Sequence, residues 1–325
     1  MKQQEIGASG LYASRIAQGC MSMGGSWDGG ALGDAQRQHA LRAIQAALEQ
    51  GITLFDHADI YAVGKSEEAF SAIWAEVPGL RGRIILQSKC GIRFAGAPTA
   101  DMPSRYDFSA AHILASVEGS LRRLRTDYLD ILLLHRPDPL VEPEEVAVAF
   151  AKLRKSGKVR FFGVSNHTPA QIALLEQALD VPLVVNQIEF NLLHADLLEA
   201  GIRANQSNPS CWVQGEGMIE YCRLRHITLQ AWGPLGRGRL CGETPPAEER
   251  LRAVWDAVAK MAEQKAVSKE AIMLAWVLRH PAPIQPVIGT ANPRRIADAC
   301  QAEQIELSRE EWYTLFVAAR GGNVP

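Results

Sequence analysis

Four residues in this chain are best suited to move a proton to or from oxygen: Asp56 and Tyr61 in FDHADIY, Lys89 in LQSKCG and His135 in LLLHRPD. A phenol titrates near 10, too high for easy exchange at neutral pH, and a neighbouring ammonium stabilises its anion. Lys89 can supply that ammonium if Asp56 keeps it charged and in place. A drop of about two units corresponds to roughly 2.7 kcal/mol, within reach of a buried cation. Tyr61 is therefore expected to titrate below its ordinary value. His135 would orient a carbonyl oxygen by a hydrogen bond and help polarise it. The set suits proton transfer to a developing alkoxide; the matching hydride must come from a cofactor, because no side chain supplies one.

These residues stand at or just past the ends of short apolar runs. Eight such runs recur: RIAQG (15–19), ITLFD (52–56), IILQSK (84–89), YLDILLLH (128–135), VRFFGV (159–164), LVVNQ (183–187), ITLQAW (227–232) and IQPVIG (284–289). Amphipathic stretches separate them, with Asp34, Ser109, Thr168 and Ser268 as expected N-caps and Gly51 and Pro281 as stops. A further helix is expected near SREEWYTLFVAAR. Alternating strand and helix implies a parallel sheet, since parallel neighbours need a crossover. Eight repeats in 325 residues predict an α/β fold, a (β/α)8 TIM barrel spanning residues 1–325 as one domain. Two long connections, 92–108 and 205–217, would sit above the barrel mouth.

Polar, aromatic or glycine residues end seven of the eight runs: Asp56-His57, Lys89, His135, Ser165-Asn166, Asn186-Gln187, Trp232-Gly233 and Gly289-Thr290. The C-terminal strand ends of such a barrel carry the active site. Convergence from seven strands points there rather than to stability.

Lys and Arg number 34 against 36 Asp and Glu, without a basic stripe, so neither nucleic acid nor an anionic membrane is an expected partner. The N-terminal residues lack a signal-like apolar stretch, and no window reads as a membrane span. The six cysteines form no C-x-x-C pair and read as reduced core thiols of a cytoplasmic protein.

FDHADIY, LQSKCG, LLLHRPD, SGKVRFFGVSNHTPAQI, VVNQIEFN and LQAWGPLGRG, in this order, resemble the aldo-keto reductase superfamily from about Ile16 to the final helix. HADIY followed by HRPDPL is similar to a bacterial subgroup of uncharacterised oxidoreductases. The resemblance implies NADP(H)-dependent reduction of a small-molecule carbonyl, with Tyr61 as general acid and Asp56, Lys89 and His135 completing a tetrad. It implies that Ser165, Asn166 and Gln187 hold the nicotinamide carboxamide and that Trp232 stacks on its ring. Gly233, Pro234, Leu235, Gly236 and Gly238 would line the pyrophosphate, with Gly289 and Thr290 continuing that site. Arg295, two residues past Pro293, would meet the 2′-phosphate, and Cys20 and Met21 would neighbour the nicotinamide. Ala297, Asp298 and Ala299 stand where relatives often carry an adenine-binding amide. The protein is expected as a monomer or weak homo-oligomer without a metal.

Trp27 reads as a wall of the substrate pocket or as a cap on the barrel. Arg93, Phe94, Tyr106 and Trp212 in the long connections are further substrate candidates. The Lys65–Glu68 run reads as a solvated helix start, His57 as a structural residue, and Arg136 with Asp138 as organisers of a turn. Gly236-Arg237-Gly238 does not open a helix, which argues against a Rossmann loop. A metal-dependent hydrolase would need ligands that the last four strands do not offer. A slowly reacting cofactor sensor is the alternative from another class.

Overall fold

A computed structural model of the protein describes residues 1–198 and 217–324. Residues 205–216 of the second long connection, with Cys211 and Trp212, lie outside the described residues. A short antiparallel hairpin, β1 (Gln3–Glu5) and β2 (Tyr12–Ser14), opens the chain. Then come β3 (Ala17–Gly19), β4 (Leu54–Asp56) and β5 (Ile85–Cys90), followed by a second small hairpin, β6 (Ile92–Arg93) and β7 (Arg105–Tyr106). The remaining strands are β8 (Leu129–Leu134), β9 (Val159–Ser165), β10 (Leu183–Glu189), β11 (Thr228–Trp232) and β12 (Gln285–Ile288). Apart from the two hairpins, the strands pair in parallel and in chain order, and β12 pairs with β3 to close the ring. Each of the eight expected runs supplies one barrel strand. The fold is the (β/α)8 TIM barrel expected from the alternation.

Helices α1 (Asp34–Glu49), α2 (Lys65–Phe70), α3 (Ile73–Glu76), α4 (Ala110–Leu124), α5 (Pro143–Lys155) and α6 (Pro169–Glu176) pack outside the strands. So do α7 (Met218–Leu224), α8 (Glu249–Lys265), α9 (Lys269–Leu278), α10 (Pro293–Cys300) and α11 (Arg309–Arg320). Helix α4 shows the local logic. Ser109 Oγ accepts from the His112 amide, Ile113, Val117, Leu121 and Leu124 bury one face, and Arg125 ends the helix in the left-handed region. Thr168 and Ser308 form capping boxes with Gln171 and Glu311. Gly33, rather than Asp34, is the N-cap of α1, and Asp34 sits in its first turn.

The barrel interior has two layers. Toward its N-terminal end Leu54, Ile85, Ile131 and Val185 form an apolar cluster with Ile6 and Ala13 of the first hairpin, and Ala17, Leu133 and Val287 extend that cluster upward, Leu133 beside Lys89 in register. The hairpin plugs this end: the Gly7 amide donates to Thr228 Oγ1 at 2.7 Å. A Cβ on Gly7, whose φ is +56°, would lie 2.6 Å from the Val184 carbonyl oxygen. Above this floor buried polar side chains join the aliphatic ones, among them Gln87, Lys89, Asp56 and Gln230.

Candidate active site

The C-terminal strand ends bring Asp56, Tyr61, Lys89 and His135 together. Lys89, on β5, is 1% exposed, and its ammonium makes three hydrogen bonds. It donates to Asp56 Oδ2 at 2.7 Å, to the His57 carbonyl at 2.9 Å and to Tyr61 Oη at 3.0 Å. An ammonium has three protons, so all are committed. Tyr61 Oη accepts from Lys89 and must turn its own proton elsewhere, toward the cleft. The Tyr61 ring lies 5.9 Å from that of His135 in an edge-on arrangement. His135 Nδ1 is buried without a partner, which leaves Nε2 as the nitrogen a ligand can reach.

Electrostatics correct one expectation. Burial pushes the Tyr61 phenol above its usual value, and the Lys89 ammonium pulls it down without reversing the direction. Desolvation of the phenolate outweighs the single cation, and the Asp56 carboxylate adds to the rise. The phenol is therefore held protonated. Burial likewise works against the charge on Lys89, but Asp56 and Tyr61 overcome it and raise its pKa above the lysine range. Burial, Lys89 and Arg136 hold His135 far below the imidazole range, so it is neutral. Burial and Lys89 lower His57 to about 3. Its ring packs against Phe70 and both nitrogens lack partners, a structural placement.

Tyr61 is set by an unusual turn. Ala62 and Val63 have φ of 49° and 58°, and Gly64 follows at 88°. Behind it the run Lys65–Glu68 is not a solvated helix start. Lys65, Ser66 and Glu67 are buried. Glu67 Oε1 accepts from Ser88 Oγ at 2.7 Å and Oε2 from Arg123 Nε at 2.8 Å. Lys65 reaches Asp28 Oδ1 at 2.7 Å and so ties down the loop carrying Trp27. Charge at these positions reads as solvent-facing only until partners far along the chain are known. The Trp27 ring stands 6.5 Å from Tyr61 and 6.3 Å from Phe94, so these aromatics flank the cleft. Arg93 pairs instead with Asp107, and Tyr106 is exposed. Asp138 does organise a turn, accepting from the amides of Leu140 and Phe108. Arg136 does not join it; its guanidinium lies 5.5 Å over the Trp232 ring.

Opposite the tetrad, Ser165 Oγ donates to the Gln187 carbonyl and accepts from Asn166 Nδ2 at 2.8 Å. Trp232 Nε1 donates to Asn166 Oδ1 at 3.0 Å, so these strand ends form one linked shelf. Past Trp232, Gly233, Gly236 and Gly238 all have positive φ, and Asn191 Nδ2 holds the Gly233 carbonyl at 3.0 Å. A Cβ at Gly238 would meet nothing, so its glycine serves the turn rather than close approach. Pro234 is buried and Leu235 half-buried in this loop. Cys20 is buried behind the tetrad, whereas Met21 is half exposed on the rim. Ser22 Oγ donates to the Gly289 carbonyl at 2.9 Å, a link unmarked in the sequence. Thr290 Oγ1 accepts from the Asn292 amide, and Asn292 caps α10. Arg294 and Arg295 are both exposed in the first turn of that helix.

The family model of the aldo/keto reductase family matches residues 15–316. The chain belongs to that family. It is 39% identical to an uncharacterized oxidoreductase of Bacillus subtilis, YcsN, over 98% of both chains. It is 37% identical to a 6-dehydroglucose reductase of Agrobacterium fabrum, over 92% of this chain and 94% of the relative. Among solved structures, a glycerol dehydrogenase of Gluconobacter oxydans superposes with a TM-score of 0.82 at 27% identity, covering 99% and 96% of the two chains. The protein is accordingly an oxidoreductase of the carbonyl-reducing kind, in a family that uses nicotinamide nucleotides and acts on small carbonyl compounds. Among the described residues no helix is long and apolar enough to cross a membrane.

Proposed function

We propose that this barrel is a single catalytic domain of a cytoplasmic, NADPH-dependent aldehyde or ketone reductase in which Tyr61 is the general acid. The observation that carries this reading is the threefold donation by Lys89, which leaves the Tyr61 proton free for a ligand. A carbonyl oxygen lodged between Tyr61 Oη and His135 Nε2 accepts two hydrogen bonds from neutral donors. Bound reduced nicotinamide nucleotide supplies hydride to the carbonyl carbon. Tyr61 passes its proton to the oxygen as negative charge develops there, and Lys89, still an ammonium, hydrogen-bonds to the phenolate that remains. Solvent restores the proton. A phenol above its usual pKa remains a far stronger acid than an alkyl alcohol, so transfer to the alkoxide is downhill.

The donor set suits the nucleotide. Ser165, Asn166 and Gln187 offer both donors and acceptors for a carboxamide. Trp232 presents a half-buried ring, and Arg295 with Arg294 stands free at a helix N-terminus, where phosphate binds well. Met21, Gly289 and Thr290 would border the same groove, with Cys20 buried behind it. The 2′-phosphate contact at Arg295 favours NADPH over NADH. Trp27 and Phe94 form the substrate wall. The named substrate of the Agrobacterium relative makes an oxidised hexose the first compound to assay. Tyr61→Phe should lower turnover by roughly 10²–10⁴-fold while leaving NADPH binding intact. Near-native reduction by that variant would overturn the assignment.

A further inference from the structure

Five barrel strands each carry one buried glutamine: Gln18 on β3, Gln87 on β5, Gln187 on β10, Gln230 on β11 and Gln285 on β12. In the ring of eight, β5 and β11 stand opposite each other, with three strands between them on either side. Gln87 and Gln230 meet across the barrel axis in a reciprocal amide pair. Gln87 Nε2 donates to Gln230 Oε1 at 2.7 Å, and Gln230 Nε2 donates to Gln87 Oε1 at 3.1 Å. The second proton of Gln87 Nε2 goes to Asp56 Oδ1 at 2.6 Å. On the far side, Gln230 Oε1 also accepts from Gln187 Nε2 at 2.9 Å. The second proton of Gln230 Nε2 goes to Gln285 Oε1, and Gln285 Nε2 donates to the Ser14 carbonyl.

Amides can present either end, but this chain of amides has one orientation. The Asp56 carboxylate bound to Lys89 and the Ser14 carbonyl can only accept, which fixes the nitrogen of Gln87 at one end and of Gln285 at the other. Gln230 must then turn its oxygen toward Gln187, and Gln187 must meet it with nitrogen. That leaves Gln187 with Oε1 and one N–H for a ligand. Nothing in the interior lets one half of the site turn its amides without disturbing the other.

We propose that Gln87 and Gln230 are positioning residues that act as one unit, holding Asp56 on one side of the barrel axis and Gln187 on the other. The proton-donating assembly and the amide that receives the nicotinamide then keep a fixed separation and a fixed hydrogen-bond polarity. This rests on the assignment of Gln187 to the nicotinamide carboxamide made above. Glutamines that served packing alone would affect stability wherever they were replaced and leave binding and turnover unmoved.

Replacement by methionine keeps the length of the side chain and removes the amide. The test compares Gln87→Met, Gln230→Met and Gln285→Met. It follows tryptophan fluorescence on titration with NADP⁺ or with 2′-phospho-ADP-ribose, which lacks the nicotinamide, and steady-state reduction of an accepted aldehyde. Gln230→Met should weaken NADP⁺ about tenfold while 2′-phospho-ADP-ribose binds within about twofold of wild type. Gln87→Met and Gln230→Met should each lower kcat about tenfold with KM for the aldehyde nearly unchanged, and the double variant should lose no more than the worse single one. Gln285→Met, which removes the far anchor but leaves the Gln87–Gln230 pair and its bond to Asp56, should weaken NADP⁺ less than Gln230→Met does and leave kcat within about twofold of wild type. Gln230→Glu, which keeps an acceptor for Gln187 and loses the donor to Gln87, should lower kcat and retain NADP⁺ affinity; it serves if the methionine variants fold poorly. Multiplicative losses in the double variant, or unchanged kcat and NADP⁺ affinity in Gln230→Met or Gln230→Glu, would overturn the proposal alone. Wild type that bound neither nucleotide would overturn it together with the reading of the site.

Discussion

The two ends of the barrel interior solve opposite problems. The floor is apolar, plugged by the first hairpin, and needs only shape: Leu54 and Ile131 are fully buried among aliphatic neighbours. The upper layer is as dry but holds an ammonium, a carboxylate, a phenol and amides, and each of these groups depends on a particular partner. Packing tolerates small adjustments, whereas a buried charge without its partner is strongly penalised. The floor should therefore govern stability alone, and the upper layer stability and chemistry together.

Lys89→Met puts this contrast under the greatest strain. It strands Asp56 without its ammonium and should cost about 3–5 kcal/mol in urea unfolding as well as abolishing turnover. Adding Asp56→Asn should recover much of the stability and none of the activity; recovery of both would break the contrast. Ile85→Ala in the floor should cost about 2–5 kcal/mol, with kcat and KM measured at low temperature unchanged. A changed kcat there would mean that the floor helps to set the site.

The helix side of the same rim should also titrate, at Asp59 beside Glu67 and Arg123. Burial, then the neighbouring Glu67, raises the Asp59 carboxyl to about 7. The folded protein thus binds a proton on Asp59 more tightly than the unfolded chain does. Stability from this group is present below about pH 4 and is lost as pH rises to about 7. Asp59→Asn should flatten that fall and gain about 1–2 kcal/mol at pH 8 over wild type. Equal slopes for both proteins in unfolding at pH 5 and pH 8 would remove Asp59 from the account. The smallest effect belongs to the turn after Tyr61. Ala62→Gly relieves a left-handed alanine and should stabilise by about 0.5–1 kcal/mol in thermal unfolding. A loss instead would show that the surroundings favour that conformation for alanine.

The strands and the fold were legible because each barrel strand is a separate apolar run bounded by helix-like sequence. The grouping of Asp56, Tyr61, Lys89 and His135 was legible because a closed parallel ring places every strand end on one rim. The first hairpin was not, since QQE and YAS carry no apolar signature and are held in place by Ile6 and Ala13, which fill the floor. Nor was the burial of Glu67, whose partner Arg123 is 56 residues away. The direction of the Tyr61 shift depends on desolvation against a cation, a balance of distances that residue types leave open. The glutamine belt did leave a mark. IILQSK, LVVNQ, ITLQAW and IQPVIG each contain one glutamine, a recurrence that solvent-facing residues would not require.

Val287 of the last barrel strand pairs with Ala17 of the first. That seam joins segments made at opposite ends of synthesis, so until the final strand is available both β3 and β11 keep an open edge. A chain stopped before β12 would carry two unsatisfied edges on a largely formed sheet, the condition that recruits strands from other molecules. Production of this protein should therefore depend on shielding nascent chains until β12 has emerged.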